Sequence, residues 1–527
     1  MAEAIQRGKI KKAPAKEVVE YLIRPGIQSD LSRSYQTILD VNKAHVLMLA
    51  KQGIISHEVA AQILRVTQDL ASQQDDPQFE ITPDVEDLYF NFERYLIQKT
   101  SLKVGGQQHT ARSRNDLLAT VTRMDSRGFF LRLSEHYIAL RKALLALARE
   151  NTDTVMSGYT HMQPSEPITL AHYCSAVLNA MERDYARFSN VWNTLNLCPL
   201  GGGSMGSTTF DIDRNYTAEL LGFIKPIQNS LDCVASRDYA LEMAAAMSMA
   251  TCTFSRMAMD MYLWATPEYG YIEVDDSVAV CSSIMPQKKN PMTLEHVKSK
   301  AAHLEAFFVS CFGALKNVPY MHCRDVSTES VRYFWTAMHE FIAEIDLLKV
   351  TLKDLKINKE RMLQSAKSNF CTVTELANYL VRKDEISFRE AHEIVAHLVG
   401  YMNEHKKRAD EITIEELNGF CQEMFGFTSK MTQDDVNNAL DPVKNAQSKV
   451  CIGGSAAQEV TRQLDLIEAT IEKDQSIFAA RNEKVKGAKD LLEKEVTKAS
   501  LSVKITFATL SVLHGVVKHA IFAGVYR

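Results

Sequence analysis

Proline is scarce in this chain, 13 among 527 residues, and its spacing matters more than its number. None falls between Pro83 and Pro164, between Pro226 and Pro267, or between Pro319 and Pro442. Proline and glycine are the residues that interrupt helix interiors, so these gaps leave room for helices much longer than three or four turns. Paired cysteines are also missing. The ten cysteines never form a C-x-x-C pair, which argues against a zinc cluster or a secreted disulfide framework and predicts a reducing, cytoplasmic setting. Charge of one sign is lacking too: the net charge is −5 and the sequence pI is near 6.3, which gives no global drive toward nucleic acid or acidic membranes. Long apolar runs are absent. The longest candidate, residues 505–517, spans 13 residues between Lys504 and Lys518 and is predicted to be a packing helix, because a membrane span needs about 20. No histidine or carboxylate cluster has metal-ligand spacing, so neither a metal nor a cofactor is expected.

What remains is ordinary for a globular protein, 46% apolar and 24% charged residues, with a pronounced helical period. From Asn115 to Thr152, Leu118, Val121, Leu133, Tyr137, Leu140, Leu144 and Leu147 recur at three- and four-residue spacing, with Asn115 or Asp116 as the predicted N-cap. Comparable runs extend from Thr169 to Thr194, Ser236 to Trp264, Met292 to Leu315 and Glu329 to Leu355. Five such helices without strand patterns between them predict an all-α helix bundle. Ser387 and Glu390 form a capping box for a shorter helix through His397. The chain divides into an N-terminal helical region (1–115), a central bundle (116–369) and a C-terminal helical region (370–527) with an extra terminal helix. The basic stretch holding Arg7, Lys9, Lys11, Lys12 and Lys16 is followed by no apolar stretch of signal-peptide type and is predicted to be a mobile arm, with a transit peptide as the alternative. The run Gly201-Gly-Gly-Ser-Met-Gly206 lacks the preceding strand and following Lys of a phosphate cradle, and is predicted to be a turn between helices.

The richest segment is Cys281-Ser-Ser-Ile-Met-Pro-Gln-Lys-Lys-Asn-Pro291, with two prolines, two lysines, two serines and an asparagine. For an arbitrary loop the ordinary reading is a solvated basic turn. Here the residue order resembles the signature of the fumarase/aspartase superfamily. Two more segments, His109-Thr-Ala-Arg-Ser-Arg-Asn-Asp116 and Gly158-Tyr-Thr-His-Met-Gln163, resemble its argininosuccinate lyase branch, and the likeness covers roughly residues 30–465.

The resemblance implies elimination of an amine from an N-substituted aspartate to give fumarate. Abstracting a proton beside a carboxylate builds up negative charge that must be met by preorganised donors and cations. In this reading Ser282 is the base. A serine hydroxyl serves so only where backbone N–H groups and a positive charge stabilise its alkoxide. Lys288 and Asn290 are the carboxylate's partners, with Ser283 and Met285 of the same loop as substrate contacts. Ser113, Arg114, Asn115 and Thr160 bind the fumarate half, His161 handles the amine's proton, and Glu295 orients His161. The three motifs lie far apart along the chain. The resemblance therefore implies a homotetramer with a twenty-helix core, each active site drawing on three subunits.

Several positions depart from the branch. Cys281 stands where a glycine is usual, Ala111 replaces another glycine, and Tyr89 replaces a histidine. The tyrosine, glutamine and lysine that receive the amino-acid half of argininosuccinate fall on His322, Ser327 and Ser330. Losing three hydrogen-bonding groups weakens arginine recognition severely. Another N-substituted aspartate is therefore the expected substrate. His322, Arg324 and Arg332 are placed to meet a second carboxylate, as in an aminopolycarboxylate such as ethylenediamine disuccinate. Argininosuccinate itself, a hydratase reaction, and a non-catalytic crystallin-like role are the alternatives.

Overall fold

A computed structural model describes residues 12–74 and 76–523, with side chains described as far as Leu501. The N-terminal region builds α1 (Tyr35–Lys51), α2 (His57–Ser72) and α3 (Leu88–Lys99). The centre is α4 (Arg114–Arg149), a hairpin of β1 (Val155–Thr160) and β2 (Gln163–Thr169), α5 (Leu170–Asn190) and α6 (Asp238–Trp264). It continues through the two-residue strands β3 (Val280–Cys281) and β4 (Lys289–Asn290), then α7 (Met292–Leu315) and α8 (Phe334–Lys353). Among the shorter helices that follow are α9 (Val373–Asp384), α10 (Phe388–Glu404), α11 (Ile414–Phe425) and α12 (Gln433–Leu440), before the long α13 (Ala457–Ala523).

The chain is all-α in character, and the five long helices begin and end within a few residues of where the apolar periodicity puts them. Two details differ. The N-cap of α4 is Ser113 rather than Asn115 or Asp116, and Asp116 closes its capping box from the third helical position. The helix capped by Ser387 continues to Glu404, past His397. The β1–β2 hairpin is a correction to the strand-free expectation. Its turn residues His161 and Met162 both adopt left-handed φ (53° and 60°), which joins antiparallel strands tightly but has no glycine to announce it.

Packing follows from the apolar faces. α4 to α8 share a core in which Phe130, Tyr137, Leu178, Tyr185, Phe254, Leu294, Phe341 and Ile345 are buried. α1 to α3 bury Ile38, Leu64, Phe92 and Leu96 against Leu117 and Val121 of α4. α9 to α12 form a third cluster around Leu380, Leu398, Leu417 and Val436. α13 packs along two of these cores: Val460, Leu464, Ile467 and Ile471 join the bundle, and Leu492 and Val496 join the N-terminal cluster. The fully buried Arg141 of α4 donates to Asp474 and fixes its position. Residues 505–517 lie within the α13 backbone, but their side chains, like residues 1–11 of the basic arm, fall outside the described residues. Lys16 opens a short helix, Lys16–Val18. Among the described residues no helix is long and apolar enough to cross a membrane.

Candidate active site

The loop between β3 and β4 is closed by its own backbone. Ser282 N–H donates to the Lys288 carbonyl (3.3 Å), Lys288 N–H to the Met285 carbonyl (3.1 Å), and Val280 pairs with Asn290 in register. This folding turns the Ser282 hydroxyl toward two backbone donors: its Oγ accepts from Ile284 N–H at 3.3 Å and from Met285 N–H at 3.0 Å. Donors so placed favour a negatively charged oxygen at Oγ. Lys289, not Lys288, is tied down, pairing with Glu273 (3.0 Å) and Asp276 (2.6 Å). Lys288 makes no ion pair among the described residues and is exposed, as are Ser283, Ile284 and Met285. Glu295, in the first turn of α7, accepts from Tyr262 Oη at 3.1 Å.

A second cluster sits at the start of α4. Asp116 is fully buried and collects four backbone N–H groups, those of Ser113 and Leu117 on one oxygen and of Gly201 and Gly203 on the other, at 2.9–3.1 Å. Burial raises its carboxyl, and these donors together with Arg112 oppose the rise. The run 201–206 is thus the expected turn, and its work is to lock the entry of α4. Gly203 has φ +62°, and a Cβ there would meet the Ser207 carbonyl oxygen at 2.5 Å. Asn115 Nδ2 donates to the Ser204 carbonyl (3.1 Å), and Arg114 Nη1 reaches Glu86 (3.1 Å) and Asp87 (2.8 Å).

Thr160 and His161 occupy the exposed tip of the β1–β2 hairpin. Just below this tip, Tyr159 Oη lies 2.9 Å from Tyr271 Oη. Among the described residues of a single chain, no hydrogen bond or ion pair joins this tip, the Ser282 loop and the entry of α4, and Glu295 is engaged by Tyr262 rather than by His161.

The 320–332 segment carries the three positions expected to face the leaving amine. His322 is half-buried, and its Nδ1 has no hydrogen-bond partner among the described residues. Burial and then the guanidinium groups of Arg237, Arg324 and Arg114 push its pKa down. Arg237 was not singled out by sequence reasoning. It is 2% exposed with an unpartnered Nε, and its burial behind Ser236 is a tertiary fact with no local signal. Tyr320 Oη donates to Asp232 (2.7 Å) and lies 2.7 Å from Ser236 Oγ, holding the segment against the 232–237 region. Ser327 is part-exposed, with its hydroxyl 3.4 Å from Thr328 Oγ1. Ser330 turns inward, 1% exposed and donating to the Val326 carbonyl (2.7 Å), so its hydroxyl does not face outward as a substrate ligand would. Arg332 is paired with Glu329 (3.3 Å) and Arg324 is exposed.

Comparison with known proteins agrees with this architecture. A lyase family model matches residues 26–304, and the model of the argininosuccinate lyase C-terminal region matches residues 370–447. Argininosuccinate lyase 1 of Shouchella clausii (strain KSM-K16) is 46% identical over 467 residues, which cover 89% of this chain and 94% of that protein. Argininosuccinate lyase of Methanocaldococcus jannaschii is 33% identical, covering 93% and 98%. The structure of EDDS lyase in complex with formate superposes with a TM-score of 0.83 at 31% identity, over 93% of this chain and 97% of that one. The chain therefore belongs to the argininosuccinate lyase branch of the fumarase/aspartase superfamily, a family of all-helical, fumarate-forming carbon–nitrogen lyases.

Proposed function

We propose that this lyase eliminates an amine from an N-substituted aspartate and releases fumarate, with Ser282 as the base. The observation that carries the reading is the pair of backbone N–H groups held on Ser282 Oγ, with the ammonium of Lys288 on the same loop. Ser282 takes the proton from the carbon next to a carboxylate. The C–N bond then breaks, and its electrons leave with the protonated nitrogen, which departs as a neutral amine and then takes a proton from His161. Lys288 and Asn290, with Ser113, Arg114, Asn115 and Thr160, receive the carboxylates.

Electrostatics around His322 favours a leaving amine that carries its own carboxylate. A guanidinium-bearing leaving group would meet the like charges of Arg237, Arg324 and Arg114, whereas a carboxylate would find buried donors there. This points to the aminopolycarboxylate class. Argininosuccinate is the second reading, favoured by the 46% identity to a protein of that name. A homotetramer with shared sites accounts for the separation of the three motifs within one chain. It also accounts for the exposed apolar residues Val309 (59%) and Phe312 (50%) on α7, a face left for other copies of the chain.

The test is fumarate release, followed by ultraviolet absorbance, across argininosuccinate, malate and a panel of N-substituted aspartates with and without a second dicarboxylate unit. Turnover of the polycarboxylates above argininosuccinate is expected. Fast turnover of argininosuccinate alone would overturn the substrate assignment, and turnover of malate alone would overturn the C–N reading.

A further inference from the structure

Beneath the entry of α4 lies a buried polar relay that the reaction as described does not use. The Tyr89 ring is fully buried on α3, and its hydroxyl donates to Glu93 Oε1 at 3.0 Å while lying 2.7 Å from His109 Nδ1. A phenol has one proton. With that proton given to Glu93, the phenol oxygen is an acceptor toward His109, so the imidazole proton sits on Nδ1 and Nε2 keeps its lone pair. Arg112 supports this polarity: its Nη2 is 3.5 Å from the same phenol oxygen, and its guanidinium lies 5.5 Å from the centre of the Tyr89 ring. On the α1 side, His45 lies 2.9 Å from the Thr110 carbonyl through Nε2 and pins the backbone between His109 and Ala111, whose φ is +60°.

The His109 side chain is 37% exposed, so this relay reaches the surface five residues before Arg114. The charged and titratable groups facing it are Glu93 and Tyr89 from α3, His45 from α1, and Arg112 and Arg114 from its own segment. Burial, then Arg112 and Arg114, lower its pKa to about 4, so the ring is neutral near pH 7.

We propose that His109 is a substrate-recognition residue, whose Nε2 accepts a hydrogen bond from the protonated nitrogen of the N-substituted aspartate. The complementarity is specific. The carboxylates of such a substrate offer only acceptors, so its nitrogen is the group that can donate to an imidazole lone pair, and Arg114 beside His109 is suited to the adjoining carboxylate. Glu93 and Tyr89 are positioning residues that fix the ring and its tautomer. This inference rests on the lyase reading above.

The experiment compares wild-type, His109→Ala, His109→Gln and Tyr89→Phe enzymes on the best wild-type substrate, with and without added imidazole, beside their thermal midpoints. A hydrogen bond to a charged group corresponds to a loss of about tenfold to a hundredfold in kcat/KM for His109→Ala. The loss should fall mainly on KM, be partly restored by imidazole, and be smaller in His109→Gln, whose amide oxygen still accepts. Tyr89→Phe, which frees the tautomer, should raise KM about tenfold. An active wild type with unchanged kcat/KM in His109→Ala overturns the inference alone, as does a loss that imidazole does not touch. If His109→Ala does not fold, an unchanged KM in Tyr89→Phe overturns it. A wild type silent on every N-substituted aspartate overturns the lyase reading and this inference together.

Discussion

A hydroxyl with an ordinary pKa is far too weakly acidic to act as a base near neutral pH, so its surroundings must do the stabilising. In the proposed reaction, two N–H groups at 3.0 and 3.3 Å of Ser282 Oγ supply part of it, with Lys288 as the cation within the same loop. Removing one donor that meets developing charge costs about 10²–10³ in kcat. Lys288→Met is accordingly expected to lose activity on that scale with an unmoved thermal midpoint, because the side chain is exposed and carries no ion pair among the described residues. Steady-state kinetics beside a melting curve checks both halves. His322→Ala should instead raise KM for polycarboxylate substrates while sparing kcat, since it acts on the part of the substrate that does not react. The residues proposed on the loop and at the entry of α4 are assigned from residue order alone, because their motifs are contiguous. Arg237 and the inward turn of Ser330 could not be read that way: whether a side chain on the 320–332 segment faces a cavity or its own backbone is decided by tertiary packing.

Among the elements, the long helices were legible because proline is absent from their interiors and their apolar period is sustained over many turns. The β1–β2 hairpin was not. Its second strand, Gln163–Thr169, contains Pro164 and Pro167, and its turn is made by His161 and Met162 rather than by glycine or asparagine. The N-cap of α4 was misread for a related reason: Ser113, Asn115 and Asp116 all cap well, and the choice fell to Asp116 being drawn inward by the N–H groups of Gly201 and Gly203. Asp116→Ala should therefore strip a cap and two tertiary bonds at once. The expected cost is about 2–3 kcal/mol of stability, read as a shift in the urea midpoint, together with weaker substrate binding through a loosened Ser113–Asn115 segment.

The bundle core also buries a titratable carboxyl. Glu344 of α8 accepts from Thr251 of α6, its other oxygen has no partner among the described residues, and burial raises its pKa from 4.5 to about 8. The folded state thus binds the proton more tightly than the unfolded one. The contribution is full below pH 4.5 and is lost as the pH rises through about 8. Glu344→Gln should flatten this part of the stability profile and gain most over wild type at alkaline pH, which denaturant melts at several pH values would show.

For the whole molecule, the hairpin tip, the Ser282 loop and the entry of α4 stand apart within one chain, and under the proposed function activity is expected to belong to an assembly. Light scattering should give four chains per particle. Phe312→Asp, which puts a charge on the exposed apolar face of α7, should produce smaller species with little activity. Mixing inactive Ser282→Ala and His161→Ala proteins under conditions that exchange subunits should restore part of the rate, because some sites would then combine intact loops from different chains.

The most direct test of the account is fumarate release by wild-type and Ser282→Ala proteins from the same saturating N-substituted aspartate. The account requires sustained release by the wild type and a fall of at least about 10²-fold in the variant, with both proteins equally folded. A Ser282→Ala enzyme that releases fumarate at the wild-type rate would contradict it.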